Sequence, residues 1–180
     1  MNDNDVIAVL RTVILAGLAR VGQAKIKVKQ SYQPRQTAIE DGPAIYLHKI
    51  LATRYGFPIL NDVFQESSQM FDHTESIWRT PTFQVTGLSV QDPADITQLT
   101  ASDITEITAD VLQSSATRRA LLASNIGIQR ITTIRDNYIL NDQERNEQAA
   151  SFDFIVSYRR SVTTQIPPVT RYQLNIDRIC

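Results

Sequence analysis

Apolar residues recur along this chain with two different periods, and the order of these periods constrains the fold more than any other feature of the sequence. Over residues 5–19 they recur every three or four positions, which predicts an amphipathic helix. Asp3 or Asn4 can cap the N-terminus of this helix, and Gly22 is predicted to end it. Over residues 25–29 isoleucine and valine alternate with three lysines, which predicts a half-buried strand.

Two segments without a regular period separate the strands that follow. Residues 43–51 are almost continuously apolar and predict a strand covered on both faces. Residues 76–91 alternate again and predict a further strand, with Gly87 at a bulge. The polar residues 30–42 and the Gly- and Pro-containing residues 52–75 predict two long projecting arms or loops.

Helical periodicity returns in the second half and then gives way to strands. Thr100 and Asp103 resemble a capping box before a second helix, and residues 116–124 predict a short third helix. A polar loop is expected at 136–149. The remaining strands are predicted at 126–134, 151–158 and 172–177. This order is typical of an α+β protein in which two or three helices pack on one face of a mainly antiparallel sheet.

Composition favours a single domain over residues 1–180 and excludes several classes of protein. The 180 residues include 18 Lys and Arg against 19 Asp and Glu, a formal charge of −1, which excludes a strongly basic nucleic-acid-binding domain. Cys180 is the only cysteine, so neither an intramolecular disulfide nor a cysteine-rich zinc site is expected, and a reducing cytoplasm is indicated. No apolar run is long enough to span a bilayer, and the N-terminus is acidic, so we expect neither membrane insertion nor secretion.

The residues that carry chemistry do not converge on a catalytic site. Only two histidines exist, and His48 lies in an apolar strand, where a packed or hydrogen-bonded role is favoured. His73 lies between Asp72 and Glu75, so a small hydrolase or metal enzyme built on these three residues is a distant alternative. The glycines are scattered, and no phosphate-binding loop is present. We therefore expect no enzyme, no metal and no cofactor.

Six short runs, by their order and spacing over about residues 5–178, resemble the sequences of tailed-phage neck or tail terminator proteins. The runs are Lys29-Gln30-Ser31-Tyr32-Gln33-Pro34, Gly42-Pro43-Ala44-Ile45-Tyr46-Leu47-His48-Lys49, Arg54-Tyr55-Gly56, Gln91-Asp92-Pro93, Leu99-Thr100-Ala101-Ser102-Asp103 and Ser151-Phe152-Asp153-Phe154.

This resemblance implies a fold, a function and a set of partners. The fold is a sheet with helices packed on one side and long arms. The function is a non-enzymatic ring of six subunits at the head-proximal end of the tail, which stops polymerisation of the tail tube and meets the head-completion or connector ring. In contractile tails the resemblance also implies contact with the sheath. DNA would pass through the lumen without sequence-specific binding, and the location would be the virion, after assembly in the bacterial cytoplasm.

Candidate contact residues follow from exposure and composition, because the family's functional surfaces are broad interfaces. Arg54, Tyr55 and Phe57 lie in the second predicted arm and combine arginine with aromatic rings, which is typical of interface anchors. The alternative to an interface role is that these three side chains fold back onto their own domain. Two arginine pairs in the second half of the chain are further candidates for interface contacts. The alternative is that they are ordinary surface residues in contact with water. The full set is Arg54, Tyr55, Phe57, Arg118, Arg119, Arg159 and Arg160.

Three other functions stay open at this point. One is a different neck or sheath-associated completion protein with the same subunit fold. Another is a monomeric module that regulates a host protein. The third is the small hydrolase or metal enzyme centred on His73. Cys180 is either a free exposed thiol or an interface contact.

Overall fold

A computed structural model gives the fold, and it describes residues 2–30, 42–89, 95, 97–140 and 146–169, without the side chains of 137–140 and 146–148. The elements in chain order are α1 (Asp3–Arg20), β1 (Lys27–Gln30), β2 (Ala44–Gln65), β3 (Met70–Ser89), α2 (Ala101–Gln113), α3 (Ser115–Ala123), β4 (Ile126–Ile131), β5 (Arg135–Leu140) and β6 (Asn146–Ile166). The predicted α+β class is confirmed.

The six strands form one sheet in the order β1-β2-β3-β6-β4, with β5 also paired to β6. Every pairing is antiparallel except that of β1 with β2, which is parallel. β4 and β5 lie along different parts of β6, because β4 pairs with its middle and β5 with its beginning. The predicted, mainly antiparallel sheet is thus confirmed.

One face of the sheet carries the core. Phe83 and Val85 of β3 lie opposite Phe154 and Phe152 of β6, and all four side chains are fully buried. The rings of Phe83 and Phe154 stack with centroids 5.7 Å apart. The helices pack on this face, and their apolar residues join the same buried cluster. Burial of large apolar side chains on one face holds the two layers together.

Two glycines allow close packing of the helical layer. A Cβ at Gly87 of β3 would lie 2.3 Å from Thr105 Oγ1 and 2.9 Å from the carbonyl oxygen of Ala101, both on α2. The predicted bulge at Gly87 is wrong, because its pairing with both neighbouring strands is regular there. A Cβ at Gly17 of α1 would lie 2.2 Å from Val111 Cγ1 of α2.

Capping residues set the ends of α1. Asn2 forms a capping box with Asp5, so the predicted cap at Asp3 or Asn4 is wrong by one or two positions. The predicted end at Gly22 is confirmed: its φ of 80° is in the left-handed region, and the Gln23 N–H donates to the Leu18 carbonyl, as in a Schellman motif.

The later helices begin and end as their sequences indicate. The Thr100 and Asp103 capping box is confirmed, with each side chain bonded to the other's backbone. Ser114 ends α2 and caps α3, because its side chain accepts from the Thr117 N–H. Asn125, with a φ of 57°, follows α3.

The main differences from the sequence-based expectations concern the lengths of strands. The expected loop at 52–75 is wrong as a loop, because β2 and β3 continue through it and join at a turn over residues 66–69. The period of two is hidden there because both faces of the strands carry apolar as well as polar residues. The strand predicted at 43–51 is not covered on both faces, since Ile50 and Leu51 are about half-exposed.

The last third also contains longer strands than expected. The predicted polar loop at 136–149 is wrong, because β5 pairs there with the first residues of β6. The strand predicted at 151–158 continues to Ile166, because residues 159–166 pair with β3. Three expectations lie outside the described residues: the arm over 31–41, the strand at 172–177 and the role of Cys180. In the described part of the chain, no helix is long and apolar enough to cross a bilayer.

The contact between α1 and α2 gives a test of the packing. We expect Gly17→Ala to lower the free energy of unfolding by about 1–3 kcal/mol, because an added methyl group overpacks the core against Val111. Val111→Ala removes the two γ carbons, so the double variant should lose less stability than the sum of the single losses. Chemical denaturation of the four proteins measures this. Strictly additive losses would contradict the close approach of the two helices.

Candidate interaction surface

Three strands continue beyond the part of the sheet that the helices cover. We call this part the platform and define it as residues 51–65 of β2, 70–80 of β3 and 159–166 of β6. Hydroxyl pairs join its strands: Ser76 Oγ lies 2.8 Å from Ser161 Oγ, and Thr74 Oγ1 lies 3.0 Å from Thr163 Oγ1. Cross-strand pairs of this kind stabilise a sheet, so the platform is an ordered extension of the core sheet.

Both faces of the platform expose large apolar side chains. The inner face continues the face on which the helices pack, and the outer face is the opposite one. The exposed apolar residues of the paired strands are Leu60, Phe64, Val162 and Ile166 on the inner face, and Leu51, Tyr55, Ile59, Val63 and Trp78 on the outer face. Polar rows such as Asp62 and His73 separate these side chains, and exposed apolar residues rimmed by polar ones are typical of interaction sites.

A row of two aromatic residues and an arginine crosses the outer face. Tyr55 pairs with Trp78, and Trp78 pairs with Arg159 on the next strand. The side chains of Tyr55 and Trp78 are 74% and 45% exposed, and Arg159 is exposed as well. Tyr, Trp and Arg are the residue types that contribute most binding energy at protein interfaces. The row therefore has the composition of an interface anchor.

A wide bulge in β2 lies beside this row. Residues 56–58 of β2 face the single residue Ile77 of β3. Gly56, with a φ of 73°, allows the backbone to leave the strand, and Phe57 is 94% exposed. The Gly and Pro of this segment thus interrupt the strand over three residues without ending it.

Three arginines lie together on the inner face, near the helices. Arg54 pairs with Arg79, and Arg79 pairs with Tyr158, so two like charges lie directly opposite each other. Arg160 lies two residues beyond Tyr158 on the same face of β6. Arg79 Nε is buried and has no hydrogen-bond partner among the described residues. We call Arg54, Arg79 and Arg160 the arginine cluster.

The start of α1 contacts this end of the platform. The Lys49 ammonium donates to Asp3, and the Tyr158 hydroxyl donates to Asp3 Oδ1 at 3.4 Å. The hydrogen bond from Lys49 is the main cause that lowers the pKa of Asp3. Burial, followed by the charge of Asp3, raises the pKa of Tyr158. The Asp3 carboxylate is therefore already bonded to two partners.

A histidine with two carboxylates lies farther along the inner face. His73 Nδ1 is 2.5 Å from Asp62 Oδ1, and Nε2 is 3.4 Å from Glu75 Oε1. Hydrogen bonding to Asp62 and then to Glu75 raises the pKa of His73 above its ordinary value of 6.5. The pair His73 and Asp62 joins neighbouring strands, because the two residues are directly opposite.

The three residues of the distant enzyme alternative do not converge. Asp72 lies on the outer face, where it accepts from Gln65 and Gln165, whereas His73 and Glu75 lie on the inner face. Consecutive residues of a strand point to opposite faces, so Asp72 and His73 cannot ligate one ion or act on one substrate. Within the described residues, no group of three or more His, Cys, Asp or Glu is placed to hold a metal ion.

The structure brings some of the candidate contact residues together and separates others. Arg54, Tyr55, Arg159 and Arg160 lie in adjacent rows at the same end of the platform, with Phe57 in the bulge beside them. Arg118 and Arg119 are exposed on α3, which packs against α1, α2 and β4. These two arginines therefore belong to a different surface.

Two platform residues were missed in the sequence. Trp78 is the only tryptophan, yet its place beside Tyr55 and Arg159 depends on the register of three strands. The role of Arg79 could not be predicted for the same reason, because its proximity to Arg54 follows from the pairing of β2 with β3. The tryptophan itself was a usable signal, since Trp is enriched at interfaces.

Comparison with known proteins assigns the family. Residues 5–168 match the model of the family described as E217 gateway protein gp29. The chain belongs to this family, and the predicted membership in a tailed-phage neck or tail terminator family is confirmed. The protein is accordingly a bacteriophage structural protein.

Solved structures also match the chain. One is the sheath/tube terminator of an extracellular contractile injection system, PVC, in its extended state, at 11% sequence identity and a TM-score of 0.49. The match covers all of this chain and 65% of the length of the terminator chain. The curated proteins contain no match to the chain.

The pKa of His73 gives a test of the inner face. Because its folded-state pKa is raised, protonated His73 stabilises the platform fully below about pH 6.5, and this contribution is lost as the pH rises through the raised pKa. We expect the stability advantage of the wild type over His73→Gln to be largest below about pH 6.5 and to shrink as the pH rises above that value. An NMR titration of the imidazole should show a lower pKa in Asp62→Asn. An unchanged pKa in that variant would contradict the pairing.

Proposed function

We propose that the protein forms a ring of six copies at the head-proximal end of a phage tail, where it ends the tail tube and joins it to the head-completion or connector ring. The observation that carries this proposal is the match of residues 5–168 to the E217 gateway protein gp29 family. The platform supports it, because a surface with exposed apolar and arginine side chains on both faces is suited to contacts with other subunits.

Ending a tube requires a subunit with two unlike ring faces. One face must copy the complementary surface that the tube subunit offers, and the other must lack the patch that recruits another tube ring. In a closed ring each subunit contacts the next through two different surfaces, and the rotation between subunits must close. The platform is a suitable element for such contacts, because it extends beyond the helical layer and carries exposed anchors such as Tyr55 and Trp78.

The proposed partners follow from this role. They are further copies of this chain, the tail tube, the head-completion or connector protein and, in a contractile tail, the sheath. DNA passes through the lumen without sequence-specific binding, which agrees with the formal charge of −1. Arg118 and Arg119 on α3 are candidates for contacts with a neighbouring ring. The proposed role is purely structural, needs no cofactor, and places the protein in the virion after assembly in the host cytoplasm.

The test is electron microscopy of lysates from a phage that carries a stop codon in this gene. We expect filled heads beside tails that are overlong or unattached, because nothing ends the tube or joins it to the head. A phage rescued by the wild-type gene on a plasmid is the control. Joined particles with tails of normal length would contradict the proposal, and mass spectrometry of purified particles would then decide between another virion position and a regulatory module.

A further inference from the structure

The arginine cluster on the inner face concentrates positive charge, and none of its members forms an ion pair with a described residue. Arg54 and Arg79 lie directly opposite each other, and like charges in this position destabilise a sheet. Arg160 adds a third charge on the next strand. The backbone pairing of β2, β3 and β6 holds the Cα atoms of the three arginines close together.

No carboxylate in the described part of the chain forms an ion pair with this cluster, although the charge of Arg79 contributes to the lowered pKa of Asp3. The Asp3 carboxylate nearby is bonded to Lys49 and Tyr158. Arg54 and Arg160 are exposed and form no ion pair with a described residue. The buried Arg79 Nε has no partner in that part of the chain either, and a buried donor without an acceptor is costly. Both observations make the cluster a suitable site for an anionic group from another molecule.

A complementary surface is present on the same chain. Helix α2 carries Asp103, Glu106 and Asp110 along its exposed side and contains no Lys, Arg or His. Glu106 and Asp110 form no ion pair with a described residue. The buried side of α2 packs against α1, α3, β3 and β6, so its acidic side faces away from the protein's own sheet. We call Glu106 and Asp110 the acidic stripe.

We propose that the acidic stripe of one copy binds the arginine cluster of the next copy, so that the platform of each subunit lies over the helical layer of its neighbour. This inference rests on the proposed ring, in which two different surfaces of the same chain meet. Carboxylate–arginine pairs fix register and orientation across an interface, and they are strong where water is excluded. The exposed Leu60 and Val162 lie on either side of Glu75 on the same inner face and add apolar area beside the arginines.

The test uses charge reversal on each side of the proposed contact. One variant carries Arg54→Glu and Arg160→Glu, and the other carries Glu106→Lys and Asp110→Lys. Each is supplied from a plasmid to the stop-codon phage, and plaque titre is measured. We expect each variant alone to lower the titre about tenfold or more, because facing like charges cost several kcal/mol. Arg130→Glu, an exposed arginine of β4 reversed in the same way, is the matched control and should leave the titre unchanged.

Co-expression of the two variants distinguishes a contact between two copies from a contact within one chain. Co-expression of the arginine-reversed and stripe-reversed proteins should restore the titre to within about threefold of wild type, because in an alternating ring every contact joins opposite charges. The combination of all four substitutions in one chain should restore it too. The proposal would be overturned if the four substitutions in one chain restored the titre and co-expression did not. It would also be overturned if neither restored the titre, because the arginines would then contact another molecule. Full titre with either variant alone would also overturn it.

The ring itself and this contact can fail independently. If the stop-codon phage forms normal joined particles, the proposed function fails, and the same full-length variants are then compared by sedimentation after purification. Mixed association of the two reversed proteins, with weaker self-association of each, would still support the contact. Absence of mixed association would overturn it. Circular dichroism and thermal melting of each variant exclude unfolding as the cause of a lost titre.

Discussion

The pairing of β3 with two neighbours along its whole length is the constraint on which the rest of the structure depends. β3 pairs with β2 and with β6 both under the helices and beyond them. Where the helices cover the sheet, Phe83 and Phe154 bury the inner face. Where the helices end, the same ladder holds Tyr55, Trp78 and Arg159 in one exposed row. The core therefore determines the geometry of the surface, because both are parts of the same three strands.

Much of the fold followed from the sequence because local signals and tertiary packing agree. The helices were predicted from periodicity, and the Thr100 and Asp103 capping box marked the start of α2. The platform was not predicted as a sheet, because its strands are exposed on both faces. Burial is what produces a clean period of two, and a segment with Ile59 on one face and Leu60 on the other has no such period.

The candidate surface was predicted only in part, for a related reason. Arg54, Tyr55 and Phe57 were found because arginine and aromatic residues cluster locally in the sequence. Their juxtaposition with Arg159 and Arg160 depends on pairing between strands about 100 residues apart, which local patterns do not specify. Trp78 and Arg79 were missed because they become neighbours of these residues only through the register of the hairpin.

The separation of charge between elements explains how a nearly neutral chain can present strongly charged surfaces. Arg54, Arg79 and Arg160 lie on the inner face of the platform, whereas the exposed side of α2 is acidic. Such a distribution favours contacts between the two unlike surfaces of different copies over contacts of either surface with itself, because each surface repels itself. It therefore agrees with a ring subunit, in which two different surfaces of the same chain meet.

The central claim is that the platform is an interface, and hydroxyl-radical footprinting tests it most directly. The oxidation of Tyr55, Phe57 and Trp78 is compared by mass spectrometry between the purified protein and intact phage particles. Val21 at the end of α1, which is 53% exposed, is an internal reference outside the platform and outside the candidate contacts of α3. The account predicts that the three aromatic side chains are oxidised in the free protein and protected in the particle. Equal oxidation of all three in both states would contradict it.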